Sequence, residues 1–404
     1  MKLTVTPILA PNESHVMTKE EALIICGRYF NMCYLKDEFE EIMHESSEKS
    51  IKRALNCIKS GHHSGFEHVK YTFLIKGISK TLAMILNNQG SYATSEKSGR
   101  YTVLSFEDEQ ENALREKWQK IFFDILFEEE YDMFYRFYSK KIEDGEKLKK
   151  RIETDITKKA QENSRLITSP FAKTQMIYTI NFRQLSYLRF ELKEFISEAP
   201  STPFYERIKS EMKEFLACTD ELGMEEEGLN PGSKGVKLPF FETVEEREEE
   251  FGENYSINYY VSYATFAQLQ RHRTCHYTIK IPENKKYFIP AFIADKEELV
   301  NEWITDCESV TTKDSFPQAT LILVNERGRY EDFALKAFER LCGAAQYEVS
   351  MIMKEQLSKY IENVTSENAY NALIKINTGA RCTFGYKCTA PCIFGPKYAF
   401  EREF

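Results

Sequence analysis

Two segments of this sequence match without a gap: TLAMILNNQ at residues 81–89 and TFAQLQRHR at residues 265–273. The same register aligns two runs of alternating apolar residues upstream of them, Tyr71, Phe73 and Ile75 with Tyr255, Ile257 and Tyr259. Alternation with a period of two is typical of a strand with one buried face, and the matched segments that follow have a helical pattern. A strand followed by a helix therefore occurs twice at one spacing, and the sequence predicts an internal duplication.

A stretch rich in Glu, Gly and Pro separates the two copies. Because it has little periodicity, it favours a solvated loop between two domains. We predict a first domain at residues 1–218, an acidic linker at 219–254 and a second domain at 255–404. The predicted fold class is α+β, with two related domains that each combine a mixed or antiparallel sheet with long helices and form a pseudo-dimer within one chain.

The composition limits the classes of protein that fit. The 404 residues are 42% hydrophobic and 29% charged, which is ordinary for a globular chain. The formal net charge of −9 argues against binding a polynucleotide by bulk electrostatics, although it allows a basic pocket for one small anion. No apolar run is long enough to span a membrane, the N-terminal residues match a secretion signal poorly, and ten scattered cysteines fit reduced thiols. We therefore expect a soluble cytoplasmic protein.

Three cysteines near the C-terminus, Cys382, Cys388 and Cys392, raise the question of a metal site. Zinc ligands favour closer pairs than this spacing gives, and a fourth ligand is not evident. We favour reduced structural thiols and predict no metal, while the sequence leaves zinc open. The chain also has no glycine-rich phosphate loop, which excludes Rossmann and P-loop nucleotide sites.

Two short motifs carry chemistry. Arg271, His272 and Arg273 end the second matched segment, and two guanidiniums beside an imidazole suit a phosphate or a ring carbonyl. Ser98-Gly99-Arg100 lies downstream of the first matched segment and can offer backbone N–H groups, a hydroxyl and a guanidinium to a phosphate. Each motif alone is equally typical of a solvated helix terminus or an ordinary turn.

Together the motifs resemble the flavin-dependent thymidylate synthases, the ThyX family, whose hallmark is Arg-His-Arg followed by a Ser-x-Arg segment. Further matching segments are His62 with Phe66-Glu67-His68, Arg165 with Pro170 and Asn181-Phe182-Arg183-Gln184-Leu185, and Arg340 with Ala345-Gln346-Tyr347-Glu348. The resemblance covers most of residues 60–195 and 250–350 as two incomplete copies.

The losses in the two copies are complementary. The first copy keeps the early His and the Ser-x-Arg turn but lacks Arg-His-Arg, whereas the second keeps Gln268, Arg-His-Arg and Arg340 but lacks the turn. The resemblance therefore implies that the two halves of one chain supply a single kind of site, completed in a homodimer that corresponds to a tetramer of the single-copy family.

The resemblance also implies roles for individual residues. FAD would contact His62, Ser64, Asn181, Arg183, Arg271, His272 and Arg273. The nucleotide and its phosphate would be held by Glu96, Ser98, Gly99, Arg100, Arg165, Gln268, Arg271 and Arg340. The expected catalytic residues are Arg340, which would lie against the uracil edge, and Ser98.

The implied activity is C5 methylation of dUMP to dTMP, with methylenetetrahydrofolate and NADPH as co-substrates. One alternative within enzymes is a related modification of UMP or dCMP that adds a methyl or a hydroxymethyl group. The other alternative is a non-catalytic protein that binds a nucleotide or a flavin. Random loss would be expected in such a protein, whereas nearly every motif here survives in one copy.

Overall fold

The computed structural model describes residues 2–11, 13–32, 39–102, 104, 108–224, 226–229, 239–241, 244, 247–388, 392–395, 402 and 404. The chain divides into two compact units, a first unit of Met1–Lys97 and Lys173–Pro239, and a second unit of Ser98–Ala172 and Phe240–Phe404. This division differs from the predicted domains, because residues 98–172 pack within the second unit. Part of the predicted linker at 219–254 lies outside the described residues.

The first unit is a sheet with helices. Its elements are β1 (Thr4–Pro7), α1 (Lys19–Asn31), α2 (Phe39–Met43), α3 (Ser47–Lys59), a 3₁₀ helix (Ser64–Glu67), β2 (Lys70–Ser79), α4 (Lys80–Leu86), β3 (Tyr92–Glu96), β4 (Lys173–Asn181), α7 (Phe182–Glu198), α8 (Pro203–Asp220) and a 3₁₀ helix (Glu227–Leu229).

The sheet of the first unit has the order β1-β2-β4-β3 in the described residues, and every neighbouring pair is antiparallel. Tyr71, Phe73 and Ile75 are buried on one face of β2, so the strand predicted from their alternation is confirmed. Thr18 caps α1, accepting a hydrogen bond from the Glu21 N–H, while the Glu21 carboxylate accepts from the Thr18 N–H. This reciprocal capping stabilises the start of α1.

The second unit combines a helical hairpin with another sheet. Its elements are α5 (Glu109–Tyr138), α6 (Gly145–Ser164), a 3₁₀ helix (Arg165–Ile167), β5 (Glu250–Phe251), β6 (Asn254–Ser262), α9 (Tyr263–Leu269), β7 (His276–Lys280), a 3₁₀ helix (Ala291–Ile293), α10 (Glu297–Ser309), β8 (Leu321–Arg329), α11 (Tyr330–Arg340), α12 (Tyr347–Asn363), α13 (Glu367–Ile376) and a 3₁₀ helix (Arg381–Phe384).

The sheet of the second unit has the order β5-β6-β8-β7 in the described residues and is also antiparallel throughout. In each sheet the strand that is second in the chain, β2 or β6, leads into a short helix. The strand that is last in the chain, β4 or β8, leads directly into a longer helix, α7 or α11. The predicted α+β class is confirmed. The internal duplication and the pseudo-dimer remain predictions, which this shared strand order supports.

One detail of the gapless alignment is wrong. Ser79 caps α4 by accepting from the Leu82 N–H, and Ser262 caps α9 by accepting from the Thr265 N–H, so Leu82 corresponds to Thr265. The sequence alignment instead pairs Leu82 with Phe266. The difference of one residue arises because β2 contains a bulge between Lys76 and Ile78, where Gly77 has φ +69°.

The core of the second unit connects the hairpin to the sheet region. Trp118 on α5 and Trp303 on α10 are fully buried, with ring centroids 4.9 Å apart and nearly perpendicular. Ala264, in the first turn of α9, belongs to the same cluster. The hairpin thus packs with the short helix that leads to Arg271. Among the described residues, no helix is both long enough and apolar enough to cross a membrane.

The bulge gives a first testable prediction. Because a left-handed φ costs an L-residue about 1–2 kcal/mol, we expect Gly77→Ala to lower the free energy of unfolding by roughly that amount. Chemical denaturation measures the change. Gly145→Ala is the control, since Gly145 begins α6 and a Cβ there meets nothing within 4 Å. Equal stability of the Gly77→Ala variant and the wild type would contradict the prediction.

Candidate active site

The Ser98-Gly99-Arg100 turn lies at the start of the second unit. The Ser98 hydroxyl accepts a hydrogen bond from the Arg100 N–H at 3.3 Å, and the Ser98 carbonyl accepts one from the Tyr101 N–H at 3.2 Å. Gly99 is buried against Arg165, where an added Cβ would lie 3.5 Å from Arg165 Cδ. The turn is therefore fixed by its own hydrogen bonds and places Gly99 next to the Arg165 side chain.

The Arg100 guanidinium joins parts of the chain that are far apart in sequence. Its Nε pairs with Glu162 Oε1 on α6 at 2.5 Å. Nη1 donates to Gln268 Oε1 on α9 at 3.4 Å, and Nη2 donates to the Ala344 carbonyl at 3.2 Å. The Ser-Gly-Arg turn and Gln268 of the second matched segment are therefore in contact within one compact unit.

Gln346 links two of the predicted side chains, Arg165 and Gln268. It is only 2% exposed, and its Oε1 accepts from Arg165 Nη2 at 2.9 Å and from Gln268 Nε2. Gln346 belongs to the Ala-Gln-Tyr-Glu motif found in the sequence, but it was not among the predicted site residues. Its place in that motif was the signal that could have identified it.

A buried carboxyl group fixes the start of α9. Glu348 accepts hydrogen bonds from the Ser262 N–H, the Ser262 hydroxyl and the Thr265 hydroxyl at 2.6–2.7 Å. Burial raises the pKa of Glu348, although these donors oppose the shift. Since α9 is only seven residues long, fixing its first turn also sets the position of Gln268 near its end.

Arg340 and His272 contact each other directly. Arg340 Nε donates to His272 Nε2 at 2.7 Å, and Arg340 Nη2 lies 3.4 Å from the Gln268 carbonyl. Burial, Arg340 and Lys336 together lower the pKa of His272 to about 3. The imidazole is therefore neutral at ordinary pH, and its Nε2 lone pair accepts the Arg340 N–H.

Lys336 explains how α11 presents Arg340. One turn before Arg340, its ammonium forms a fully buried ion pair with Glu326 on β8. Tyr255 and Tyr259 donate to the same Glu326 carboxylate at 2.7 and 2.8 Å, so the carboxylate has several buried donors. This ion pair connects α11 to the sheet and so fixes the position of Arg340 next to His272.

Positive charge predominates around α6 and the Ser-Gly-Arg turn. Burial acts to raise the pKa of Glu162, but Lys159, Arg100 and Arg165 hold it below its usual value. Burial also lowers the pKa of Lys159 to about 8, and nearby Arg402 and Arg100 contribute to that shift. Because Glu162 faces three cations, a bound anion would relieve their mutual repulsion.

Five of the predicted residues, His62, Ser64, Glu96, Asn181 and Arg183, lie in the first unit. Asn181 caps α7 by accepting from the Gln184 N–H at 2.7 Å. Arg183 donates to Glu67 at 2.5 Å and to the Tyr187 hydroxyl at 3.1 Å. The His62 ring contacts Phe30, and Glu96 forms an ion pair with Lys80. Ser64 begins a 3₁₀ helix and is exposed. The predicted flavin residues are thus divided, with His62, Ser64, Asn181 and Arg183 in this unit and Arg271, His272 and Arg273 in the other.

The cysteines do not form an evident metal centre. Cys382, Cys388 and Cys392 are all described and all free thiols. Within the described ranges, no group of three or more His, Cys, Asp or Glu side chains is arranged to hold a metal ion.

Comparison with known proteins bears on the first half of the chain. Residues 15–193 match the family described as thymidylate synthase complementing protein. The flavin-dependent thymidylate synthase of Clostridium tetani is 29% identical over 165 residues, which is 38% of this chain and 63% of the relative. The corresponding protein of Pyrococcus furiosus is 27% identical over 162 residues, 37% of this chain and 56% of the relative. This chain therefore spans less than two thirds of these curated relatives.

Two solved structures are also similar. ThyX of Helicobacter pylori, solved with FAD and dUMP, is 17% identical, with a TM-score of 0.29 over 55% of this chain and 99% of that protein. The UMP/dUMP methylase PolB of Streptomyces cacaoi, bound with 5-Br dUMP, is 15% identical, with a TM-score of 0.29 over 55% and 91%. The predicted resemblance to the ThyX family is confirmed for residues 15–193, and the resemblance of residues 250–350 stays a prediction.

The neutral His272 gives a second testable prediction. An unfolded histidine titrates near pH 6.5, so between pH 6.5 and about 3 the unfolded chain binds a proton that the folded chain does not. The contribution to stability is present above pH 6.5 and is lost as the pH falls. Between pH 7 and 5 we expect this linkage to remove about 2 kcal/mol of unfolding free energy.

Urea denaturation at several pH values measures this effect. The His272→Gln variant should lose less stability than the wild type between pH 7 and 5. The control, His276→Gln, changes an exposed side chain and should keep the wild-type slope. Identical slopes for the wild type and the His272→Gln variant would refute the assignment.

Proposed function

We propose that this chain is a flavin-dependent enzyme that methylates C5 of a pyrimidine deoxynucleotide, converting dUMP to dTMP. The observation that carries the proposal is the convergence of Arg100 and Arg165 with Gln268 and Arg340 in the second unit. The similarity of residues 15–193 to proteins named flavin-dependent thymidylate synthase supports it.

The nucleotide phosphate would bind at the Ser-Gly-Arg turn. Arg100 and Arg165 supply guanidinium donors beside the excess of positive charge around Glu162. The Ser98 hydroxyl is held in the turn by the Arg100 N–H, and buried Gly99 lies beside the Arg165 side chain. A dianionic phosphate suits such a set, because charge-assisted hydrogen bonds to guanidinium are the strongest that side chains offer.

Arg340 would act on the uracil ring. Carbon 5 becomes nucleophilic only when negative charge builds on the ring, and a fixed guanidinium near O4 and N3 stabilises that charge. His272 accepts the Arg340 Nε–H, which orients the guanidinium before substrate arrives. Preorganised donors of this kind contribute roughly 2.7–4 kcal/mol each to transition-state stabilisation.

FAD would be held by Arg271 and Arg273 together with His272 in the second unit. The resemblance alone assigns His62, Ser64, Asn181 and Arg183 to FAD as well. The donor set fits the group, since guanidiniums in a turn at a helix end suit a diphosphate. When bound and reduced by NADPH, FAD supplies the hydride that converts a methylene group from methylenetetrahydrofolate into methyl. The protein's own task is to orient substrate and ring, and Glu96 is assigned to the nucleotide by resemblance alone.

The internal duplication belongs to the proposal. Two sheets with the same strand order, each followed by a helix from its last strand, support two copies of one ancestral domain. A duplicated chain would assemble as a homodimer equivalent to a tetramer of single-copy chains. Light scattering of the purified protein tests this directly, and a monomeric mass at micromolar concentration would contradict it.

The activity test begins with the purified protein. We expect a yellow preparation, or one that gains flavin absorbance on reconstitution, and formation of dTMP from dUMP, methylenetetrahydrofolate and NADPH. UMP and dCMP assayed in parallel identify the nucleotide. A protein that never takes up flavin would refute the proposal, and turnover of UMP alone would reassign the substrate. Binding of dUMP without turnover would instead support a non-catalytic protein.

A third prediction concerns Arg340. Replacing it with Gln removes a preorganised charge, so we expect kcat to fall by about 10²–10³. The control is Arg329→Gln, because Arg329 precedes α11 and its side chain is 72% exposed. Steady-state rates for dTMP formation measure both variants. An Arg340→Gln variant with kcat near the wild-type value would remove Arg340 from the mechanism.

A further inference from the structure

We infer that Arg402 is a positioning residue of the nucleotide site, an assignment that rests on the proposed function. Arg402 lies outside both regions that resemble the ThyX family, and no sequence motif singled it out. Its guanidinium is nevertheless buried, with the residue only 8% exposed. A buried arginine far along the chain needs partners, and the identity of those partners points to its role.

Arg402 donates hydrogen bonds to three groups that lie beside the site. Nη1 donates to the Gly343 carbonyl at 3.0 Å, and Nη2 donates to the Ala345 carbonyl at 2.6 Å. Nη2 also donates to the Ser350 hydroxyl at 2.8 Å. One guanidinium therefore fixes two backbone carbonyls two residues apart and the first turn of α12.

The same short segment receives the site arginines. The Ala344 carbonyl, between the two carbonyls bound by Arg402, accepts from Arg100 Nη2 at 3.2 Å. The next residue but one, Gln346, accepts from Arg165 and Gln268. The positions of Arg100 and Arg165 therefore depend on a backbone segment whose own conformation Arg402 sets.

A second route leads from Arg402 to Arg340. The Ser350 hydroxyl that accepts from Arg402 donates to the Arg340 carbonyl at 3.0 Å. Arg340 ends α11, so this bond fixes the end of the helix from which the guanidinium extends. Arg402 thus acts on both sets of proposed substrate contacts. One set is Arg100 and Arg165, which would bind the phosphate, and the other is Arg340 at the uracil edge.

Aromatic residues hold Arg402 in place. Its guanidinium carbon lies 5.1 Å from the Phe394 ring centroid and 5.9 Å from that of Tyr347. Phe394 and Phe404 are both buried in the core that contains α5 and α6, with ring centroids 5.3 Å apart. Burial lowers the pKa of Arg402 to about 10, which leaves the guanidinium charged at neutral pH.

Arginine suits this place because of its geometry. A planar fork of N–H groups can reach two carbonyls and a hydroxyl together, whereas a lysine ammonium is a single point charge. Arg402→Lys should therefore retain part of the function and Arg402→Gln very little. Ser350→Ala removes the hydroxyl that joins Arg402 to Arg340, and it leaves the bonds from Arg402 to the Gly343 and Ala345 carbonyls in place.

The experiment compares these full-length variants by calorimetric titration with dUMP and by steady-state kinetics. We expect Arg402→Gln to weaken the Kd for dUMP by roughly tenfold to a hundredfold, since a buried donor to two carbonyls is lost. Arg402→Lys should lie between that variant and the wild type. Ser350→Ala should lower kcat about threefold to tenfold with a smaller effect on the Kd.

Matched controls separate positioning from general damage. Arg381→Gln changes another C-terminal arginine, whose guanidinium lies 4.2 Å from the Tyr386 ring centroid, and should leave the Kd within twofold of the wild-type value. Equal dUMP affinity in Arg402→Gln and wild type would overturn the inference. If Arg402→Gln does not fold, Ser350→Ala decides, and an unchanged kcat there would overturn it. A wild type that binds no dUMP would overturn the proposed function as well.

Discussion

The short segment Gly343–Gln346 accepts hydrogen bonds from three arginines, and the architecture of the second unit depends on that arrangement. Arg100, Arg165 and Arg402 come from distant parts of the chain, and each donates to this segment. Buried guanidiniums are tolerated only when their N–H groups find acceptors. Backbone carbonyls and one amide oxygen provide most of them, and Glu162 is the carboxylate that faces Arg100, Arg165 and Lys159. The cations outnumber that carboxylate, so the site keeps its attraction for an anion.

Much of the fold could be predicted from local sequence. The alternation of Tyr71, Phe73 and Ile75 predicted β2, because that signal depends only on residues that are close together in the sequence. The shift of one residue in the second matched segment could not be predicted in this way. It follows from the bulge at Gly77, and a bulge is set by pairing with another strand.

The candidate site was predicted in part. Motifs identified Arg100, Gln268 and Arg340, which the structure brings together. Arg402 could not be found, because its importance comes from tertiary contacts with main-chain carbonyls, which any residue type supplies. The predicted role of His272 was also incomplete, since its acceptance of the Arg340 N–H depends on burial that local sequence does not encode.

Each compact unit consists of two stretches that are not adjacent in the sequence. Residues 98–172 pack with 240–404 in the second unit, whereas residues 173–239 pack with 1–97 in the first. The helical hairpin is therefore synthesised well before the strands and helices of its own unit. Until those arrive, the aromatic residues of α5, Trp118 and Phe122 among them, lack their partner Trp303. In a nascent chain those apolar side chains stay without Trp303 until it is synthesised, and apolar surface exposed in this way promotes aggregation.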